Sequence, residues 1–239
     1  MKKGIYILPN SLTMCGLFCG FYAILMALKG NYVHSAWGIL IANIFDGLDG
    51  WVARLTNSTT KFGIELDSLS DLVAFGAAPA VLVYSWALEP FGRLGVGASF
   101  LLVMCGALRL ARYNVQMGTT ESKAFSGIPI PGSGTVIASL VLFHFEWFGG
   151  DPGRNYFIII LAVLLAVLMV STIKFHGLKE FDLKKRKPFG ILVAIGVAIV
   201  LIFMYPETII FVFSISYVFS GLIESIYTLR RKKIKGNEA

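Results

Sequence analysis

Four aspartates, Asp46, Asp49, Asp67 and Asp71, are the residues best placed to do chemistry in this sequence. They lie in the stretch "NIFDGLDGWVARLTNSTTKFGIELDSLSDLVAFGAAPA", residues 43–80, as two pairs spaced by three and by four. On a helix either spacing puts both members of a pair on one face. Four carboxylates brought together at lowered dielectric repel one another unless they are protonated or held by cations. Oxygen-only donors suit a hard divalent ion, Mg²⁺ or Mn²⁺. Two such ions would balance the four charges and leave coordination sites for substrate phosphate, as two-metal phosphoryl transfer requires. Gly47 and Gly50 remove side chains beside the carboxylates, Ala53 keeps the same face low, and Arg54 offers a planar cation to a phosphate oxygen. Helix packing is the alternative explanation of the two glycines.

The elements that position these residues must be membrane helices. Of the 239 residues 56% are apolar and 15% charged, with a mean hydropathy of +0.74, whereas soluble chains carry about 25% charged residues. That composition excludes a disordered chain and a nucleic-acid-binding domain. Stretches of about 20 apolar residues, enough to span a bilayer, fall at 6–28, 33–54, 67–88, 94–116, 130–148, 155–173, 188–205 and 207–228. The expected fold is therefore an all-α polytopic membrane protein of about eight helices, six at the fewest, forming one membrane domain over 1–239. All but three of the 21 Lys and Arg residues (Lys29, Arg93 and Arg154) then fall on the side of the N-terminus. Cytoplasmic loops carry the positive excess, so both termini and the aspartates are expected to face the cytoplasm. Asp46 and Asp49 would end the second span and Asp67 and Asp71 begin the third. Cys15, Cys19 and Cys105 lie in apolar surroundings with no metal or disulfide spacing and read as packing residues. Trp51, Trp86 and Trp147 fall near the expected membrane borders, where an aromatic belt would place them.

Asp46, Asp49, Gly50, Ala53, Arg54, Gly63, Asp67 and Asp71 reproduce D-x-x-D-G-x-x-A-R-x8-G-x3-D-x3-D without departure. This segment resembles the signature of the CDP-alcohol phosphatidyltransferases. The resemblance implies transfer of a phosphatidyl group from a CDP-linked lipid to a small alcohol with release of CMP. It assigns Asp46, Asp49 and Asp67 to one metal and Asp46, Asp67 and Asp71 to a second, with Asp71 also the general base. Gly50, Ala53 and Arg54 would contact the nucleotide and its phosphates, and Thr60 would add a polar contact. The run Pro9 to Thr13, "PNSLT", resembles the family's other cytidine-binding element and brings in Pro9, Asn10 and Thr13; a plain helix start capped by Asn10 or Ser11 is its other reading. The family also leads one to expect a homodimer.

A second polar group, "GALRLARYNV", contains Arg109, Arg112 and Asn114. Arg109 and Arg112 share a face at i and i+3 and could hold an acceptor carboxylate or a phosphate; they also satisfy the positive-inside rule with no ligand. With "FSGIPIPGSG", residues 125–134, this run resembles the phosphatidylserine synthase branch of the family. That resemblance implies CDP-diacylglycerol and L-serine as substrates, at the inner membrane. Glycerol 3-phosphate and inositol are the enzymatic alternatives, and an archaeal-type lipid donor stays open. A cation-coupled transporter is the alternative of a different class, and it would require acidic sites near the bilayer midplane and inverted repeats.

Overall fold

The computed structural model describes residues 6–117, 127–171 and 204–236. Among the described residues the chain is helical throughout, with no strand. The helices are α1 (Ile7–Leu28), α2 (Tyr32–Leu55), α3 (Lys61–Phe91), α4 (Arg93–Met117), α5 (Ile130–Trp147), α6 (Tyr156–Val170) and α7 (Pro206–Gly236). Helices thus occupy each expected stretch except 188–205, which lies outside the described residues. By length and composition α1, α3 and α4 are able to cross a membrane, and Tyr156–Val170 and Pro206–Gly221 are shorter apolar helices. The exterior matches that reading: Phe18, Phe100 and Phe213 are each more than 60% exposed, which favours lipid over water as their neighbour.

Small residues let the helices approach closely. Ala23, Ala27, Ala36, Ala42, Ala74 and Ala78 are all buried, the composition expected where lipid supplies no hydrophobic drive and packing must come from close backbone contact. α1 sits between α2 and α3. A Cβ on Gly38 of α2 would lie 3.1 Å from Ala23 Cβ, and one on Gly20 of α1 would lie 2.6 Å from Ala74 Cα of α3. Polar links join the remaining helices. Asn43 donates to Thr135 Oγ1 at 2.9 Å (α2 to α5), Ser139 and Ser214 share a hydrogen bond of 2.9 Å (α5 to α7), and Tyr32 donates to the Ser85 carbonyl at 2.8 Å (α2 to α3).

α3 begins at Lys61, six residues before the stretch that hydropathy alone suggests. Thr60 is extended and its hydroxyl accepts from the Gly63 N–H at 3.0 Å, a side-chain cap that lets a polar segment start the helix ahead of its apolar part. Asp67 and Asp71 consequently stand in the second and third turns, with Glu65 and Ser68 helical above them. Directly after Asp71 the helix widens to π geometry over Leu72–Ala77, and again over Tyr84–Leu88. Each widened stretch ends two residues before a proline, Pro79 and Pro90. A proline lacks its N–H and its ring crowds the carbonyl one turn back, so a π turn at that place takes up the misfit without breaking the helix.

Two expectations are corrected. Trp86 is 2% exposed and packs edge-on against His144, with ring centroids 5.3 Å apart, so it belongs to the interior and not to an aromatic belt. Cys15 is exposed, so the packing expectation fails there, while Cys105 is buried and the half-buried Cys19 packs against the core.

Candidate active site

The ends of α2 and α3 bring the expected acidic cluster together. One carboxylate oxygen from each of Asp46, Asp49 and Asp67 lies within 4.8 Å of the other two. Asp71 is outside that tightest group, but it lines one narrow inner crevice with Asp46, Asp49 and Asp67. Three clustered carboxylates form a hard-oxygen donor set that fits a divalent cation. Asp49 is 5% exposed, and a buried carboxylate beside two others needs compensation. Part of it comes from α1: Thr13 is buried and its hydroxyl reaches Asp49 Oδ2 at 2.6 Å and its own-helix Pro9 carbonyl at 3.1 Å. Ser70 in turn donates to the Thr13 carbonyl at 3.1 Å. Thr13 therefore orients a carboxylate of the cluster as well as lining the cleft beside it.

A hydrogen bond to a charged group contributes about 1.5–3 kcal/mol, and loss of a group that orients a metal ligand typically costs about 10- to 100-fold in metal affinity or activity. Thr13→Val is expected to raise the Mn²⁺ concentration needed for half-maximal activity by about that factor, read from a metal titration of the rate. An unchanged titration would remove Thr13 from this role.

Above the aspartates opens a cleft of about 150 Å³, walled by Pro9, Asn10 and Thr13 of α1, Gly50, Ala53 and Arg54 of α2, and Thr60 and Gly63 at the start of α3. The glycines here differ in what they do. Among the described residues a Cβ on Gly50 would meet only Arg54 Nη1, at 3.6 Å, and one on Gly47 nothing within 4 Å, so the packing of the described helices does not require either glycine. A Cβ on Gly63 would lie 3.1 Å from Asn10 Oδ1; its absence lets the first turns of α1 and α3 meet. Asn10 and Ser11 do not cap α1, which starts at Ile7 without a side-chain cap, and Ser11 donates back to the Ile7 carbonyl at 2.8 Å. Thr60 reaches the cleft while capping α3.

The two arginines of α4, expected on one face, part company. Arg109 is half-buried and within electrostatic reach of Asp71 and of Tyr217 on α7. Its Nε is buried with no hydrogen-bond partner among the described residues. Arg112 turns to the end of α6 and donates to the Val170 carbonyl at 3.2 Å. The same helix end is held by Ile128, whose N–H donates to the Leu168 carbonyl at 3.2 Å. Gly127 precedes it with φ of +84° and packs so near the Met169 carbonyl that no Cβ fits. The "GIPIP" turn and Arg112 thus brace α4 and α5 against α6, while Arg109 stays within electrostatic reach of Asp71. Asn114 lies farther along α4, bonded to Ser68 and Glu65 of α3. Tyr217 is the site neighbour that sequence reasoning missed: it is one aromatic among many in an apolar stretch, and only the packing of α7 on α5, with its Cε1 3.7 Å from where a Cβ of Gly132 would be, brings it here.

Comparison with known proteins agrees with this geometry. The chain is 38% identical over 225 residues to the CDP-diacylglycerol--serine O-phosphatidyltransferase of Helicobacter pylori, covering 94% of this chain and 93% of that one. It is 37% identical over 170 residues to the archaetidylserine synthase of Methanothermobacter thermautotrophicus, covering 70% and 69%. Identity to the CDP-diacylglycerol--serine O-phosphatidyltransferase of Saccharomyces cerevisiae is 41% over 145 residues, 55% of this chain and 51% of that one. The family is dependent on divalent metal, which suits the aspartate cluster. Residues 6–170 match the sequence profile described as CDP-alcohol phosphatidyltransferase, and with the complete signature lying across α2 and α3 the chain belongs to that family.

Proposed function

We propose that this enzyme transfers the phosphatidyl group of CDP-diacylglycerol to the hydroxyl of L-serine, forming phosphatidylserine and releasing CMP. The observation that carries the reading is the half-buried Arg109 within electrostatic reach of Asp71, which lines one crevice with the three-carboxylate cluster: a cation suited to an acceptor carboxylate lies in the neighbourhood of a carboxylate suited to take the acceptor's proton. Asp46, Asp49 and Asp67 would hold one divalent ion and Asp46, Asp67 and Asp71 a second, either Mg²⁺ or Mn²⁺, and ions held there would supply neutralisation of the diphosphate and of the charge that develops on the leaving CMP. The cleft over Gly50 takes the nucleotide, with Arg54 on its phosphates and Pro9, Asn10, Thr13, Ala53 and Thr60 along its walls. Asp71 accepts the proton of the serine hydroxyl as that oxygen bonds to the lipid-linked phosphorus, and the electron pair of the breaking P–O bond leaves with CMP. Arg109 orients the serine by its carboxylate, which is how positioning lowers the entropic part of the barrier. Arg112, engaged with α6, and Asn114, engaged with α3, hold the helix that carries Arg109.

The enzyme is placed in the cytoplasmic membrane with the site facing the cytoplasm, on the strength of the Lys and Arg distribution. The expected homodimer rests on the family resemblance alone. Continuous helices lead into the cluster from one end of α2 and α3, an arrangement that favours a surface-facing transferase over a transporter site in unwound helices.

The test is CMP release by the purified enzyme in detergent with Mg²⁺ or Mn²⁺, offering serine, inositol and glycerol 3-phosphate separately and both diacyl and archaeal-type CDP-lipids. Serine-dependent release that stops with a chelator is expected. Release dependent on glycerol 3-phosphate or inositol in place of serine would overturn the acceptor assignment and keep the family chemistry.

A further inference from the structure

The acidic crevice is tied together once through α1, where Thr13 joins Asp49 of α2 to Ser70 of α3. That link supports Asp49 directly. Among the described residues no side chain hydrogen-bonds to Asp46 or Asp71, so their placement is left to the packing of α2 and α3. A second link between those two helices runs through the start of α5, where three successive residues meet three different helices. Ser133 Oγ lies 3.3 Å from Met169 Sδ of α6. A Cβ on Gly134 would lie 3.3 Å from both Cα and Cβ of Phe75 on α3, so the bare glycine seats α5 against that backbone. Thr135 Oγ1 accepts from Asn43 Nδ2 of α2 at 2.9 Å and donates to the Pro131 carbonyl at 2.8 Å. The single hydroxyl proton is thereby used, which fixes the sense of the chain from Asn43 through Thr135 to the "GIPIP" turn.

The levels of these contacts match. Asn43 stands one turn before Asp46 on α2, and Phe75 one turn after Asp71 on α3. Phe75 lines the crevice with the four aspartates, as does Ala42 beside Asn43. α5 therefore touches each metal-bearing helix one turn beyond its unsupported carboxylate. It is itself anchored to α6, by Ser133 and by the bond from the Ile128 N–H to the Leu168 carbonyl, so the element that meets α2 and α3 here is a fixed one. We propose that the first turns of α5 set the separation of Asp46 and Asp71, with Asn43 and Thr135 as positioning residues, and that this brace governs the cation site that includes Asp71. This deepens the two-ion reading of the aspartates and rests on it. Asn43 and Thr135 act through the helices and take no part in the phosphoryl step. The crevice is then held in two places, by Thr13 at Asp49 and by α5 below Asp46 and Asp71.

Mn²⁺ titration of the full-length enzyme in detergent with CMP present, followed by electron paramagnetic resonance, reads the cation sites apart from turnover. Thr135→Val removes the hydroxyl at nearly constant volume, and Asn43→Leu removes the donor. Each is expected to weaken the second Mn²⁺ about tenfold, the lower end of the loss that follows when support around a metal ligand is removed. The first ion should stay within about threefold of the wild type, because Asp49 keeps its bond to Thr13. In CMP release kcat should fall with the KM for serine little changed. Thr135→Ser, which keeps the hydroxyl, should titrate as the wild type does. The double variant Asn43→Leu/Thr135→Val should lose no more than either single one, since both remove the same bond. The proposal is overturned if Thr135→Val binds the second ion normally, if Thr135→Ser is impaired as much as Thr135→Val, if the two losses add, or if both ions weaken alike. A wild type that takes up one ion defeats the two-ion reading and the brace with it, whereas two ions in the wild type and in unaffected variants defeat the brace alone.

Discussion

Asp71→Asn is expected to reduce serine-dependent CMP release by about a thousandfold or more while leaving the helical bundle intact. A positioned general base contributes about 10²–10⁴ in rate, and a thousandfold loss corresponds to about 4 kcal/mol of transition-state stabilisation. The substitution is nearly isosteric and leaves the tightest oxygen cluster, Asp46, Asp49 and Asp67, unaltered. Its effect should therefore fall on kcat, with nucleotide binding and the affinity of the more tightly held metal retained. Asp67→Asn provides the contrast. Asp67 belongs to that cluster and lies on the floor of the nucleotide cleft, so metal affinity, nucleotide affinity and rate should fall together. Mn²⁺ binding followed by its electron paramagnetic resonance, alongside single-turnover CMP release, separates the two variants. Asp71→Asn retaining activity within fivefold would remove it as base, and a loss of Mn²⁺ binding equal to that of Asp67→Asn would reduce it to a ligand.

How much of this could be read from the sequence depends on how far apart the partners lie in it. The aspartates were legible because each pair sits within one or two turns of a single helix and a short connection brings the pairs together; local periodicity contains the whole argument. Arg109 and Arg112 show where that logic stops. Their spacing puts them on one face, yet one lies within electrostatic reach of Asp71 and the other donates to the Val170 carbonyl. A face is wide enough to touch two neighbours, and α6, which claims Arg112, enters from a different part of the chain. The start of α3 was missed for another reason. Hydropathy locates the apolar part of a helix, whereas Thr60 and Gly63 start it through a hydrogen bond that hydropathy does not register. Gly63 also stands in the signature, where its fit against Asn10 of α1 has no counterpart in the spacing pattern.

Gly20→Ala is the change expected to damage the site most from a distance. Its Cβ would sit 2.6 Å from Ala74 Cα and 2.8 Å from Ala74 Cβ, and backbone atoms at that range have no rotamer by which to yield. Either α1 or the π-widened part of α3 must move. Overpacking of this kind costs about 1–3 kcal/mol of stability. The larger effect should be on catalysis, because the two helices that would separate carry the bonds that orient Asp49. Thr13 lies seven residues before Gly20, about 10 Å along the helix, and its hydroxyl and carbonyl meet Asp49 and Ser70 at 2.6 and 3.1 Å. A displacement of about 1 Å at a reacting geometry can cost on the order of 100-fold in rate. Gly16→Ala, one turn away on the same helix, supplies the comparison. Its Cβ would find Phe45 Cβ, the Ala42 carbonyl and Ser70 Oγ at 3.6, 3.7 and 3.8 Å, ordinary contact distances. Thermal unfolding in detergent and CMP release should place Gly16→Ala near the wild type and Gly20→Ala well below it in both. Equal behaviour of the two variants would mean that the close approach of α1 to Ala74 is not what holds Thr13 against Asp49.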